Sequence, residues 1–449
     1  MNTMSTTYRY MQFVPYADIQ NWSVHFLMGN DFGYSDKYPL IRVGSFLNRS
    51  MSVVNIEDGI EYKQVTVRTN NGGVCLRGIK KGKDIGTKKQ MVVRKGQYIV
   101  SKIDARNGAF GIIPDELDGA IVTNDFPVFD VDNTIINTHF LLLVTTTKQF
   151  IAFAQSCSSG TTNRRRIDID KFLEQKIPIP SLEEQERLVN AYNVIISKSE
   201  RIIQEAEQLD ESILFFIIST LGLAKRDKGQ QPSLMGFIHF KDTLTRWDTY
   251  AIKEPYKSKW PIQKMGSLIT SISTGATPPT SHKEYFDGDI AFFTPADVSG
   301  EMFLKESERH LSQKSIDDGK ARTYSKGTIL FVGIGSTVGK VGIVDLPLVS
   351  SNQQITGFAV NQDYVIPEYV YCFLHYNKDV STAEQAKTTL PIVNQAKIAK
   401  IPIPVPPKEV QEEIITYTKE KREQISNLRA EAQRLKQQAL QDFEKELFK

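Results

Sequence analysis

The residues of this 449-residue chain that could do chemistry are six histidines, three cysteines and one glycine-rich stretch, GIGSTVGKVG at 333–342. A phosphate cradle needs glycine at its first position and a hydroxyl residue after its lysine to hold magnesium. Here Ile334 and Val341 stand in those places, so the stretch reads as a tight turn between strands. The histidines lack the HExxH spacing of a metalloprotease, and Cys75, Cys157 and Cys372 offer neither a zinc cluster nor a CxxC pair. No Asn/Asp-Pro-Pro-aromatic signature of amino-methyltransferases occurs. PDE at 114–116 lies too far from EQK at 174–176 to form a nuclease carboxylate set. Nothing here argues for catalysis, and no metal or cofactor is expected on this chain.

Residues that could bind are easier to find. RGIKKGKDIGTKKQ at 77–90 gathers Arg77, Lys80, Lys81, Lys83, Lys88 and Lys89 around glycines, as a loop tracking phosphates would. SSGTTNRRR ends a small polar loop in Arg164, Arg165 and Arg166. In KIDARNG, Lys102 precedes Arg106 and Asn107, a pair of side chains able to bond guanine and adenine edges. Thr337, Lys340 and Lys387 are the corresponding candidates in the second half of the chain.

The elements that must position these groups come in two copies. KYPLIRVGSFL at 37–47 matches KWPIQKMGSLI at 259–269, VRKGQYIV at 93–100 matches YSKGTILF at 324–331, and GAFGII at 108–113 matches GKVGIV at 339–344. KIPIPSLEEQERLV at 176–189 is echoed by KIPIPVPPKEVQEEII from Lys400, an offset of 224 (401 − 177). Four matches in one order mark an internal repeat. The globular parts look β-rich. QYIVSKI, GAIVTNDFPVF, HFLLLVTT, TILFVGI and QITGFAV read as strands, with KQFIAFAQS and EYVYCFLHYN as short interleaved helices, so the class is α+β.

After the first KIPIP the period changes. Leu188, Ile195, Ile202, Leu209 and Phe216 recur every seven residues, with Tyr192, Ala206 and Ile213 at the offset position and Val189, Ile196, Ile203 and Ile217 widening the stripe. Such a heptad belongs to a helix packed lengthwise on another helix. The tail repeats it through Ile414, Leu428 and Leu435, with Ile425, Ala432 and Ala439 beside them and Lys421 interrupting the seam. The two helices are expected to pair as an antiparallel coiled coil. Ile177-Pro178-Ile179-Pro180 forms a rigid extended lead, Ser181 caps, and Glu183 and Glu184 sit in the first turn. The expected division is 1–180 for the first globular domain, 181–222 for its helix, 223–405 for the second domain and 406–449 for its helix.

Charge follows the same division. Residues 1–180 hold 22 Lys+Arg against 17 Asp+Glu, 181–222 hold 3 against 8, 223–405 hold 21 against 18, and 406–449 hold 9 against 9. Two basic modules on a rod without positive excess suit a polyanion gripped at two separated places. The cysteine pattern and the lack of a signal-peptide core fit a reduced cytoplasmic compartment. ILFFIISTLGLA at 213–224 is too short to span a bilayer and reads as a buried helix face, so no membrane partner is expected.

Together the KIPIP motif, its echo, SKIDARNGAFGIIP at 101–114, GAIVTNDFPVF at 119–129 and the globule–helix–globule–helix order resemble the specificity subunits of type I restriction–modification systems. The second copy departs from the first in having VPPKEVQEE for SLEEQER, which makes the two helix starts unequal, and it lacks the RRR loop. The resemblance implies two tandem target-recognition domains related by a pseudo-twofold axis, each reading one half of a split, asymmetric target in double-stranded DNA. The helix pair would fix the unread gap. Two modification subunits, carrying S-adenosylmethionine and adenine-methylating chemistry, would dock on the helices, and restriction subunits would add translocation driven by ATP and magnesium. A stand-alone DNA-binding regulator and a coiled-coil adaptor are the alternative readings.

Overall fold

A computed structural model describes residues 34–156, 158–159, 166–225, 256–382 and 391–448. The chain divides into two compact units, Met1–Arg201 with Glu431–Lys449, and Ile202–Ala430. Each of the two 40-residue helices, Leu182–Leu221 and Lys408–Leu447, gives one half to each unit.

The first unit is built on a four-stranded sheet in the order Leu47–Arg49, Val128–Val131, Tyr98–Val100, Phe110–Ile112, all antiparallel. Tyr98, Phe110, Phe129, Phe150 and Phe172 stack beneath it in offset and edge-on pairs, the geometry aromatic quadrupoles favour. A second sheet runs Val53–Asn55, Lys89–Val92, Ile121–Val122, Glu61–Val67, Val74–Lys81, with Val74–Lys81 on the edge. HFLLLVTT is a helix, not the expected strand: Thr138–Thr146 is helical, and the Asn137 side chain accepts from the amides of His139 and Phe140. A run that is apolar on nearly every face carries no period that separates strand from helix, and here the cap decides.

In the second unit the same sheet recurs as Ile269–Thr274, Ile355–Val360, Ile329–Val332, Val341–Val344, with Phe303–Leu304 added in parallel. Tyr98 opposes Ile112 in one unit and Ile329 opposes Ile343 in the other, a common offset of 231 (329 − 98). A four-stranded sheet, Arg309–Leu311, Phe286–Phe293, Leu348–Ser351, Thr323–Ser325, completes this unit. Pro367–Tyr376 is the counterpart of Thr138–Thr146 and is buried along most of its length. GIGSTVGKVG forms the expected turn, joining Ile329–Val332 to Val341–Val344 with Gly335 and Gly339 at positive φ.

One match in the repeat is shifted. Leu40–Arg42 pairs with Lys176–Pro178, and Ile262–Lys264 pairs with Pro402–Pro404. Ile177 therefore corresponds to Ile403, not Ile401, and the offset is 226 (403 − 177) rather than 224. Ile-Pro-Ile-Pro has a period of two, and so does a strand, so a slip of two residues leaves every side chain on its own face. In the true register Pro406-Pro407-Lys408-Glu409-Val410-Gln411 lies on Pro180-Ser181-Leu182-Glu183-Glu184-Gln185. The buried pair Leu188 and Val189 then coincides with the buried pair Ile414 and Ile415, and the two helix starts are more alike than the text match implies.

Candidate nucleic-acid interface

Basic side chains collect on two edges of the first unit. Arg77, Lys80, Lys81, Lys83, Lys88 and Lys89 are all exposed, but RGIKKGKDIGTKKQ is not a loop. Arg77, Lys80 and Lys81 sit on the edge strand Val74–Lys81, Lys83 in the 3-10 turn Gly82–Asp84, and Lys89 at the start of the next strand. The register slips beside Arg77, where Gln64 opposes Gly78 and Val65 opposes Leu76, so the arginine occupies a bulge. Bulges re-aim the side chains they carry. Lys88 is tied back, its Nζ donating to Asp58 Oδ1 at 2.6 Å and to the Gly82 carbonyl at 2.8 Å.

The second group gathers around the turn Ala105–Asn107. Asn107 is exposed, Lys102 and Arg106 half-buried. The Lys102 amide donates to the Asp125 carbonyl, and the Ile167 amide donates to the Lys102 carbonyl. Arg166 is thereby placed beside this turn, with Nε donating to Asp125 Oδ1 at 3.2 Å. Its charge is partly neutralised in place. Arg164 and Arg165 lie outside the described residues. The neighbouring loop went unnoticed in the sequence: Asn70 and Asn71 both adopt positive φ, and their amides donate to the carbonyls of Asn107 and Gly108. A Cβ on Gly108 would stand 2.5 Å from Asn71 Oδ1, so glycine is required there. TNNGG at 69–73 carries the turn signature that could have revealed it.

In the second unit Thr337 and Lys340 lie half-buried in the Gly333–Lys340 turn, at the place Arg106 and its neighbours hold in the first. Lys387 lies outside the described residues. Beside that turn is a set of amides and hydroxyls that composition alone did not single out. Thr277 Oγ1 donates to Gln353 Oε1 at 2.6 Å, Asn352 Nδ2 to Gln354 Oε1 at 3.0 Å, and Gln395 Nε2 to Thr274 Oγ1 at 2.8 Å. The signal was NQQ at 352–354, a polar run between two largely apolar strands, Leu348–Ser351 and Ile355–Val360.

Of the helix residues, Leu188, Ile202, Ile213, Ile414 and Leu435 are buried, while Tyr192, Ile195, Leu209, Phe216 and Leu428 are half-buried. Small side chains share the deepest positions with Ile213, Ile217 and Ile414: Ser199 and Ala206 on one helix, Ala432 and Ala439 on the other. Within the first unit Arg187 approaches Glu446 at 3.8 Å and Ser199 bonds Ala432, so the two segments run antiparallel. In the second unit Phe216 stacks on Tyr417 with ring centres 4.0 Å apart. At the first helix start the Arg187 guanidinium, with help from Tyr38, holds the Glu184 carboxyl down at about 2. Among the described residues no three His, Cys, Asp or Glu side chains could hold a metal ion, and no helix is long and apolar enough to cross a membrane.

Residues 35–209 and 257–437 each match the model of the type I restriction modification DNA specificity domain. The chain belongs to that family. Both copies of the specificity domain begin just before the paired Ile/Leu strand and run into a long helix. The chain is 30% identical over 210 residues to the type I restriction enzyme MjaIX specificity subunit of Methanocaldococcus jannaschii, covering 44% of this chain and 46% of that subunit. It is 23% identical over 378 residues to the HindI specificity subunit of Haemophilus influenzae, covering 73% of this chain and 80% of that one. A chain from a structural study of complex assembly and conformational transition in the type I R-M system superposes with a TM-score of 0.50 at 16% identity, covering 91% of this chain and 98% of that chain. That likeness concerns the fold alone.

Proposed function

We propose that this chain is the DNA-reading subunit of a type I restriction–modification complex and carries no catalytic group of its own. One observation carries the reading: the same four-stranded sheet and proline-led joint are built twice, each leading into a 40-residue helix. Residues 1–180 and 223–405 act as two recognition domains, each taking one half of a split target. Arg77, Lys80, Lys81 and Lys83 on the bulged edge track phosphates, and Asn107 with Arg106 reaches base edges. Residues 181–222 and 406–449 act as spacers, and a helix of 40 residues is about 60 Å long.

The outward faces of those helices dock modification subunits, which bring S-adenosylmethionine. Restriction subunits with ATP and magnesium complete a cytoplasmic assembly. Co-expression with a modification subunit, followed by methylation mapping of the host genome, tests this. Two short half-sites around a fixed gap are expected, and exchanging residues 1–175 for those of a relative should change one half only. Methylation of one uninterrupted site, or change in both halves, would overturn it.

A further inference from the structure

We infer that Gln185 and Gln411 are positioning residues that fix the angle between each recognition domain and its spacer helix, and so set how strictly the gap length is read. The inference rests on the function proposed above.

Both side chains are wholly buried. Gln185 Oε1 accepts from the Asn137 amide at 2.7 Å, while its Nε2 donates to the carbonyls of Ile135 at 3.1 Å and Pro180 at 2.9 Å. Gln411 Oε1 accepts from the Ile366 amide at 2.9 Å, and its Nε2 donates to the carbonyls of Tyr364 and Pro406, each at 2.9 Å. The two networks use equivalent atoms. In each, one amide joins three elements: the first turn of a long helix, the proline lead before it, and the N-terminal cap of a short helix inside the globular domain.

Only glutamine makes all three bonds. Glutamate has no donor for the two carbonyls, asparagine is shorter by one methylene, and methionine would leave an amide and two carbonyls unpaired. The ordinary cap cannot be what the two joints share, because Ser181 is matched by Pro407, which has no side-chain donor or acceptor. Each recognition domain therefore meets its helix through a stiff lead and one fully bonded amide. Small errors at such a joint grow along the rod. A tilt of about 6° over about 30 Å of helix moves the far end by about 3 Å, close to one base-pair rise.

The test uses the full chain assembled with its modification subunit and a set of DNA duplexes that differ only in gap length. Wild type is expected to methylate one gap. Gln185→Met and Gln411→Met should each methylate gaps one base pair longer and shorter, with the half-site bases unchanged. Gln185→Asn, which keeps both donor and acceptor but is shorter by one methylene, provides a second variant if the methionine variants fold poorly. A residue that merely stabilises the fold would lower melting temperature and methylation of all gaps in proportion. In hydrogen exchange the Gln185→Met variant should expose the Asn137 amide by about tenfold while the sheet amides hold their protection. Unchanged gap selectivity in folded variants overturns the inference. If wild type itself methylates no split site, the proposed function fails instead.

Discussion

Ser199 donates its hydroxyl to the backbone carbonyl of Ala432 over 2.9 Å within the first unit, and both residues are buried where the two helices meet. A larger side chain cannot enter there without pushing the helices apart. Ser199→Leu should cost about 1–3 kcal/mol by overpacking and Ser199→Ala about 1 kcal/mol by loss of the bond. Urea denaturation would measure both. Equal stability of Ser199→Leu and wild type would show that the approach is loose.

Two neighbouring residues on the first long helix should behave in opposite ways. Ile213 is completely buried in the core of the second unit, whereas Phe215 is 73% exposed. Ile213→Ala should cost about 2–5 kcal/mol and Phe215→Ala less than about 0.5 kcal/mol in the isolated chain. If a modification subunit covers this face, Phe215→Ala should weaken assembly while leaving the melting temperature unchanged. Calorimetry of the chain and titration with the partner separate these effects.

Acid should loosen the second unit through His375. Its ring stacks on Tyr371, meets Tyr376 edge-on and lies near Arg422, Lys378 and Glu301. Burial, reinforced by Arg422 and Lys378, pushes it from the usual 6.5 down to about 4. The folded form keeps the ring neutral while the unfolded chain takes up the proton. Stability is therefore complete above pH 6.5 and is lost as pH falls toward 4, by about 3 kcal/mol. His375→Phe should flatten that part of the profile, read by urea midpoints between pH 7 and 4. A variant with the wild-type slope would assign the acid sensitivity elsewhere.

Charge on the bulged edge should govern affinity without governing sequence. Arg77→Ala and Lys81→Ala should each lower the salt dependence of DNA binding by about one counterion and weaken all sequences alike. Asn107→Ala should change which bases are accepted. Lys88→Ala, whose ammonium is already held by Asp58, should do little. Binding titrations at several salt concentrations distinguish the three behaviours.

Much of the fold was legible because the chain repeats itself. The matches at Tyr98 with Ile329 and at Gly111 with Gly342 fall on strands with the same pairing, so patterns read in one copy support the other. The KIPIP register was not legible, since a two-residue slip in an Ile-Pro repeat preserves both text and facing. That slip also hid Gln185 and Gln411, which align only at an offset of 226 (411 − 185). HFLLLVTT was misread for want of a period, although its counterpart PEYVYCFLHY looks helical by itself. The basic run at 77–90 announced its charge but not its strand, because glycines that suggest a loop here flank and interrupt an edge strand at a bulge.

The most direct test of the spacer role is to lengthen both helices together. Inserting one heptad after Ser199 and one opposite it, beside Ala432, keeps the seam in phase and adds about 10 Å of rise. Methylation mapping of the assembled complex should then return the same half-site bases with a gap about three base pairs longer. Full activity at the original gap would contradict the claim that these helices set the distance between the bases read.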